Sequence, residues 1–227
     1  EKLDISTLPE LEQYMLHKIY HLNENFKNYF KSYDFHNLYK ELLNFCTVDL
    51  SAFYFDIRKD SLYCDNKDSE KRKSSIIVLN VILESLIKWF APILSFTSEE
   101  IFNLINKDKK SIHLEKFMKF PDFFENERLN KKWIELKKIR DICNISIEEK
   151  RASKEIGSSL EAELIISLNK KLSDITKDVD FSELCITSKA EIEYGNKSDI
   201  TTVSAVKALG DKCPVCWKIS TSSCIRH

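Results

Sequence analysis

The chain has 227 residues, 35 basic against 36 acidic side chains for a formal charge of −1, 43% hydrophobic residues, and only 3 Gly and 4 Pro. That apolar content supports a packed core and excludes a disordered chain, while so few breaks argue against a many-stranded sandwich or a glycine-rich nucleotide-binding sheet. A near-zero net charge excludes a general field attracting nucleic acid, so any RNA contact has to use local basic patches. No signal-like start and no long apolar run is present, and the odd count of 7 Cys argues against a disulfide framework. A soluble, intracellular protein with no membrane partner is the expectation, mainly α, in two units.

Thr7-Leu8-Pro9-Glu10 has the spacing of a capping box, and Leu11, Met15, Ile19, Leu22, Phe26 and Tyr29 then recur at helical period. Asp34 is placed to cap a second helix carrying Phe35, Tyr39, Leu42, Cys46, Leu50, Phe53 and Ile57. A third helix carries Ile76, Leu79, Leu83, Leu86 and Phe90 and is stopped by Pro92. Thr97-Ser98-Glu99-Glu100 is a second capping box, opening a short helix to about Ile105, and Ile112 to Phe124, which holds Pro121, reads as a loop. A fourth long helix, Glu125 to Glu155, sets Leu129, Trp133, Leu136, Ile139 and Cys143 on one side. Four long helices joined by loops predict a bundle.

The pattern changes at Gly157-Ser158-Ser159. Leu160 to Leu168 and Cys185 to Tyr194 alternate, and Ile200 to Val206 is rich in β-branched residues, so a small α+β segment follows. The expected division is 1–156 helical bundle, 157–209 α+β junction and 210–227 metal-binding knuckle.

Cys213-Pro-Val-Cys216 and Cys224-Ile-Arg-His227 form two ligand pairs, each with a two-residue gap. This spacing suits one tetrahedral zinc, since each tight turn aims two side chains at one point and thiolate and imidazole both bind this metal well. A redox pair is the alternative, although the strand and helix that normally flank one are missing. Trp217, directly after the second thiol, either packs over the metal or stacks on a base.

Between 128 and 140 lie Arg128, Lys131, Lys132, Lys137, Lys138 and Arg140 against Glu135 alone. Such a face can follow a phosphate backbone, or it is simply a solvated helix surface. His17, His21, His36 and His113 are too scattered to argue catalysis from spacing.

Several phrases resemble the isoleucyl branch of the class I aminoacyl-tRNA synthetases. They are Tyr33-Asp34-Phe35-His36, the run from Asn44 to Asp56, Lys59 to Cys64, Ala91 to Ile101, and Lys154 to Ala162. The helix phrases would also suit valyl or leucyl relatives, whereas Gly157-Ser158-Ser159-Leu160-Glu161-Ala162 and the terminal cysteines favour isoleucyl. The resemblance implies an anticodon-binding module for isoleucine tRNA, monomeric and cytoplasmic, continuous with an N-terminal catalytic core that uses ATP. It also implies zinc, with His227 standing where the family usually has a cysteine. The family's two ATP-binding signatures have no counterpart here, so ATP binding and catalytic residues are not expected in this chain. A free-standing zinc-containing RNA-binding protein and a helical scaffold for a protein partner are the rivals.

Overall fold

The structure is a computed structural model that describes residues 7–108, 110–196, 201–224 and 226. The chain is helical to Ala152, then gives way to short strands and a cysteine-bearing hairpin, so the mainly α reading holds. Two compact units form: Glu1–Asp56 with Lys67–Glu127, and Ile57–Asn66 with Arg128–His227. Compactness thus groups the last long helix with the strands that follow it, whereas the change of pattern at Gly157 marks only where helix gives way to sheet.

In the first unit, α1 (Glu10–Ser32) has Glu10 and Glu12 in its first turn and Lys31 in its last, both matched to the helix dipole. The predicted capping box does not open it: Pro9 is the N-cap, with no side-chain cap bond. Gln13 Nε2 instead donates to the Leu8 carbonyl at 2.7 Å. The helix ends at Tyr33, whose left-handed φ of 58° lets its N–H return to the last turn. Asp34 caps α2 (Phe35–Asn44) by accepting the Asn37 N–H at 3.2 Å. The helix widens into a π-helical stretch, Phe45–Phe55, before α3 (Asp56–Cys64).

After the polar run, Ser69 caps α4 (Glu70–Phe90), and α5 (Ser95–Ile105) follows the break at Pro92. α5 begins two residues before the expected capping box. Glu99 turns away from helix capping and accepts the Ile112 N–H and the Ser111 hydroxyl, each at 2.9 Å. The segment from Ile112 to Phe124 is irregular apart from two 3-10 turns, as expected.

The stripe on α4 differs from the sequence reading by one position, and the stripe that starts on α2 departs from it at Phe35 and Tyr39. On α4 the buried line is Ser75, Val78, Ile82, Ser85 and Trp89, while Ile76 and Leu83 face solvent. Serine tolerates this burial because its hydroxyl is satisfied locally: Ser85 donates to the Val81 carbonyl at 2.7 Å, and Ser75 bonds the Lys71 carbonyl at 2.9 Å and the buried Glu12 at 3.1 Å. On α2, Leu38, Leu42 and Phe45 are buried, and Phe35 and Tyr39 are exposed. The wider π turn carries Leu50 and Phe53 back to the interior.

In the second unit, β1 (Ala162–Asn169) is the central strand, parallel to β2 (Lys189–Asn196) and antiparallel to β3 (Thr202–Lys207). Its alternation is complete, with Ala162, Leu164, Ile166 and Leu168 fully buried. The Ile200 at the start of the third expected strand lies outside the described residues. α6 (Glu127–Ala152) precedes this sheet, and two short helices, α7 (Ser173–Thr176) and α8 (Phe181–Leu184), lie between β1 and β2.

α6 buries Leu129, Trp133, Leu136, Ile139, Cys143 and Ile147. Its Ser146 hydroxyl accepts the Ala205 N–H of β3 at 3.0 Å. The Gly-Ser-Ser-Leu-Glu-Ala phrase closes on itself, because the Gly157 N–H reaches Glu161 Oε2 at 2.9 Å. That bond holds the Glu161 carboxyl below its ordinary pKa. Arg58 of α3 pairs with Glu183 of α8 at 2.6 Å, with the guanidinium almost wholly buried.

Candidate metal centre and nucleic-acid interface

The cysteine-bearing hairpin begins at Gly210, whose φ of 122° suits glycine and where a Cβ would collide with the Ser220 backbone. β4 (Asp211–Lys212) then pairs antiparallel with β5 (Ile219–Ser220). Between them Cys213, Pro214, Val215 and Cys216 form a tight turn. The Trp217 N–H bonds the Cys213 carbonyl at 3.0 Å, and the Cys213 N–H bonds the Lys218 carbonyl at 2.9 Å.

This turn, with Cys224 from the tail, brings three sulfurs within 4.8 Å of one another, and Cys216 Sγ lies 3.8 Å from Cys224 Sγ. None of the 7 cysteines is in a disulfide. Burial pushes the Cys216 thiol up to about 11, against a Lys218 backbone N–H that favours the thiolate, and the two neighbouring thiols add to the rise. Three convergent thiols are a donor set that a soft or borderline dication satisfies, so the three cysteines could hold a metal. His227, the expected fourth ligand, lies outside the described residues.

Nothing in the sequence assigns a role to Arg226. In the structure it anchors the tail to α3, with Nη1 at 2.7 Å from Asp60 Oδ2 and Nη2 at 2.6 Å from Asp65 Oδ1. Asp60 and Asp65 flank the phrase Ser61 to Cys64, but their partner sits 161 residues beyond Asp65, too far for local spacing to reveal it. Cys64 Sγ lies 3.9 Å from the Val215 carbonyl of the turn.

Trp217 leaves more than half of its surface open to solvent. It adopts φ 61° and is 59% exposed, with Lys212 Nζ 5.7 Å from its ring centroid. On α6, Arg128, Lys131 and Lys138 are exposed, the last paired with Glu135 at 2.7 Å, and Lys132 and Lys137 are half-buried. Arg140 has to be taken out of the predicted basic face. It is 9% exposed and its Nε donates to the Leu184 carbonyl at 2.9 Å, because it lies on the buried side with Leu136 and Cys143.

The structure also gathers His17, His21 and Glu127, which sequence spacing leaves scattered. The His17 and His21 rings stand 4.5 Å apart, and Glu127 Oε1 lies 3.8 Å and 3.5 Å from their Nε2 atoms. His17 Nδ1 accepts the Asn126 N–H at 2.9 Å. Its proton in the neutral ring is therefore on Nε2, the atom a metal would need, so this cluster is read as a polar contact that runs from buried His17 to exposed Glu127.

Burial first, then His21, lowers the His17 pKa below its ordinary value. The unfolded chain then binds the proton more readily, so stability falls as pH drops through about 6.5 and below. Thermal melts at pH 7.5 and 5.5 should show this loss, and His17→Gln, which keeps an acceptor for Asn126, should shrink it. An unchanged pH dependence in that variant would remove His17 as its source.

A family model described as the anticodon-binding domain of tRNA ligase matches residues 12–166, and the chain belongs to that family. Its relatives narrow the branch. It is 74% identical over 227 residues to an isoleucine–tRNA ligase of Pelagibacter ubique, covering all of this chain and 25% of that protein. It is 39% identical over 228 residues to the isoleucine–tRNA ligase of Bartonella quintana, covering 96% of this chain and 24% of the relative. With that of Mesorhizobium japonicum it shares 40% identity over 196 residues, 86% of this chain and 20% of the relative. The chain thus spans at most a quarter of the length of these curated relatives. No helix among the described residues is long and apolar enough to cross a membrane.

Proposed function

We propose that this chain is the C-terminal tRNA-binding part of an isoleucine–tRNA ligase, holding the anticodon stem and loop while a catalytic core outside it charges the acceptor end. The observation that carries this reading is the 74% identity to an isoleucine–tRNA ligase across all 227 residues. In the parent enzyme ATP would drive esterification of isoleucine to its tRNA, in the cytoplasm and as a monomer.

The exposed Arg128, Lys131 and Lys138 on α6 and the exposed Trp217 ring are the groups we assign to RNA, with Lys132 and Lys137 at the margins. The cations would take phosphates and the ring an unpaired base. Zinc is the metal we assign to Cys213, Cys216 and Cys224, with His227 as fourth ligand. It would supply a structural cross-link for a hairpin too small to fold on apolar burial alone.

A salt titration of the chain with isoleucine tRNA, the same tRNA with an altered anticodon, and an unrelated duplex tests the reading. Affinity should fall steeply with salt through counterion release and should be highest for the cognate RNA. Changing Lys131 and Lys138 together to Ala should lower the salt slope by about 2, roughly one per lost phosphate contact, and weaken all three RNAs alike. Equal affinity for all three would leave nonspecific RNA binding only, and no binding at low salt would favour the scaffold.

A further inference from the structure

The hairpin that carries Cys213 and Cys216 is pinned at its base, where the Ile219 N–H bonds the Ser188 hydroxyl at 2.6 Å and Lys212 Nζ stands 3.7 Å from Glu161. Its far end holds Val215, the two cysteines and the exposed Trp217 ring. Two contacts hold this end and the tail beyond it to α3. Cys64 Sγ lies 3.9 Å from the Val215 carbonyl, and a thiol is a weak donor.

Arg226 makes the strong contact. Its guanidinium forks across two carboxylates: Nη1 lies 2.7 Å from Asp60 Oδ2, while Nε and Nη2 donate to Asp65 Oδ1 at 2.9 Å and 2.6 Å. The three side chains keep only 26%, 17% and 13% of their surface exposed, so salt screens them far less than an ion pair in open solvent. Without the guanidinium, two largely shielded carboxylates would lose their shared counter-ion, which is unfavourable. α3 is itself fastened to α8 through the Arg58–Glu183 pair, so it gives the tail a firm seat. Arg226 stands two residues after Cys224, and it thereby holds the stretch of tail that brings the third sulfur to the turn.

We propose that Arg226 is a positioning residue for RNA binding: seated between Asp60 and Asp65, it fixes the cysteine-bearing end of the hairpin on α3 and so aims the Trp217 ring at an unpaired base. The inference rests on the RNA-binding reading above. It assigns Arg226 no phosphate of its own, because its charge is already matched by two carboxylates.

The test compares the full zinc-loaded chain with Arg226→Ala, Trp217→Ala and the double variant, reading affinity for isoleucine tRNA across a salt series. Arg226→Ala should bind about tenfold more weakly, within the range for losing one stacked base, while its zinc content stays at the parent value. The salt slope should also stay unchanged, whereas loss of a phosphate contact would lower it by about 1. In the Trp217→Ala background, Arg226→Ala should cost less than about twofold, because the ring it positions is gone. Asp60→Asn combined with Asp65→Asn should reproduce the Arg226→Ala loss with Arg226 still in place. Parental affinity in Arg226→Ala or in the asparagine pair, a lowered slope, or independent losses in the double variant overturns the proposal and leaves the RNA-binding reading standing. Loss of zinc from Arg226→Ala overturns it too, by making the residue a support of the metal site alone. If the parent chain binds no tRNA at low salt, the RNA-binding reading falls and takes the proposal with it.

Discussion

Trp89→Ala is expected to destabilise the first unit by about 3–5 kcal/mol, the range for removing a large buried aromatic side chain. Trp89 is fully buried on α4 and meets two rings edge-on, Phe26 at 4.9 Å and Phe45 at 6.1 Å between centroids. Truncation would remove both contacts and leave a cavity that helix backbones cannot collapse to fill. It would also orphan a polar chain. Trp89 Nε1 donates to Asn23 Oδ1 at 3.2 Å, and Asn23 Nδ2 donates to the Met118 carbonyl at 2.9 Å, with Asn23 itself fully buried. Trp89→Phe separates the two losses, since it keeps most of the volume but leaves Asn23 without its donor, at a cost of roughly 1–3 kcal/mol. Urea denaturation followed by helical signal is the measurement. Two units need not unfold together, so the transition that moves identifies the unit that holds Trp89. An alanine variant within about 1 kcal/mol of the parent would refute this role for Trp89, because core truncations of this size do not come so cheaply.

The elements are more legible in the sequence than their faces. Asp34 is readable as a cap because its chemistry is local, and the carboxylate does accept the N–H three residues on. The alternation of Ala162, Leu164, Ile166 and Leu168 likewise announces a strand that is buried on one face. The stripe on α4 reads one position off because buried Ser75 and Ser85 count as polar in any periodicity, although their hydroxyls are satisfied within the helix. On α2 the stripe misses at its start, where Phe35 and Tyr39 are exposed, while Leu42, Leu50, Phe53 and Ile57 are buried as the periodicity predicts.

For the site, cysteine spacing is informative because two-residue gaps encode a turn, and the three sulfurs do converge. Charge counting is less so. It cannot tell Arg140, whose guanidinium turns inward to the Leu184 carbonyl, from Lys138 two residues earlier, which faces solvent.

The chain should hold one zinc ion, and loss of ligand sulfurs should cut deeply into a binding free energy that for small zinc modules is about 10–16 kcal/mol. The Cys213→Ser, Cys216→Ser double variant should therefore retain essentially no zinc after dialysis, as read by metal analysis. Cobalt(II) loaded in its place should give the intense absorption of a tetrahedral thiolate site in the parent chain and lose it in the variant. Because the Cys216 thiol stands at about 11 without metal, binding must displace protons, and apparent affinity should rise with pH across the neutral range. Chelation should release the hairpin while the helices persist, since the helical elements to Ala152 are built without the cysteine cluster. The tail has a second tether in Arg226, paired with Asp60 and Asp65. Arg226→Ala should thus increase the loss of order on chelation, measured as proteolytic cutting after residue 210, without abolishing zinc uptake. His227→Ala decides the fourth ligand: weakened zinc retention assigns it to His227, and unchanged retention assigns it elsewhere. Zinc fully retained in the double cysteine variant, or no zinc in the parent chain purified with the metal present, would rule out the centre.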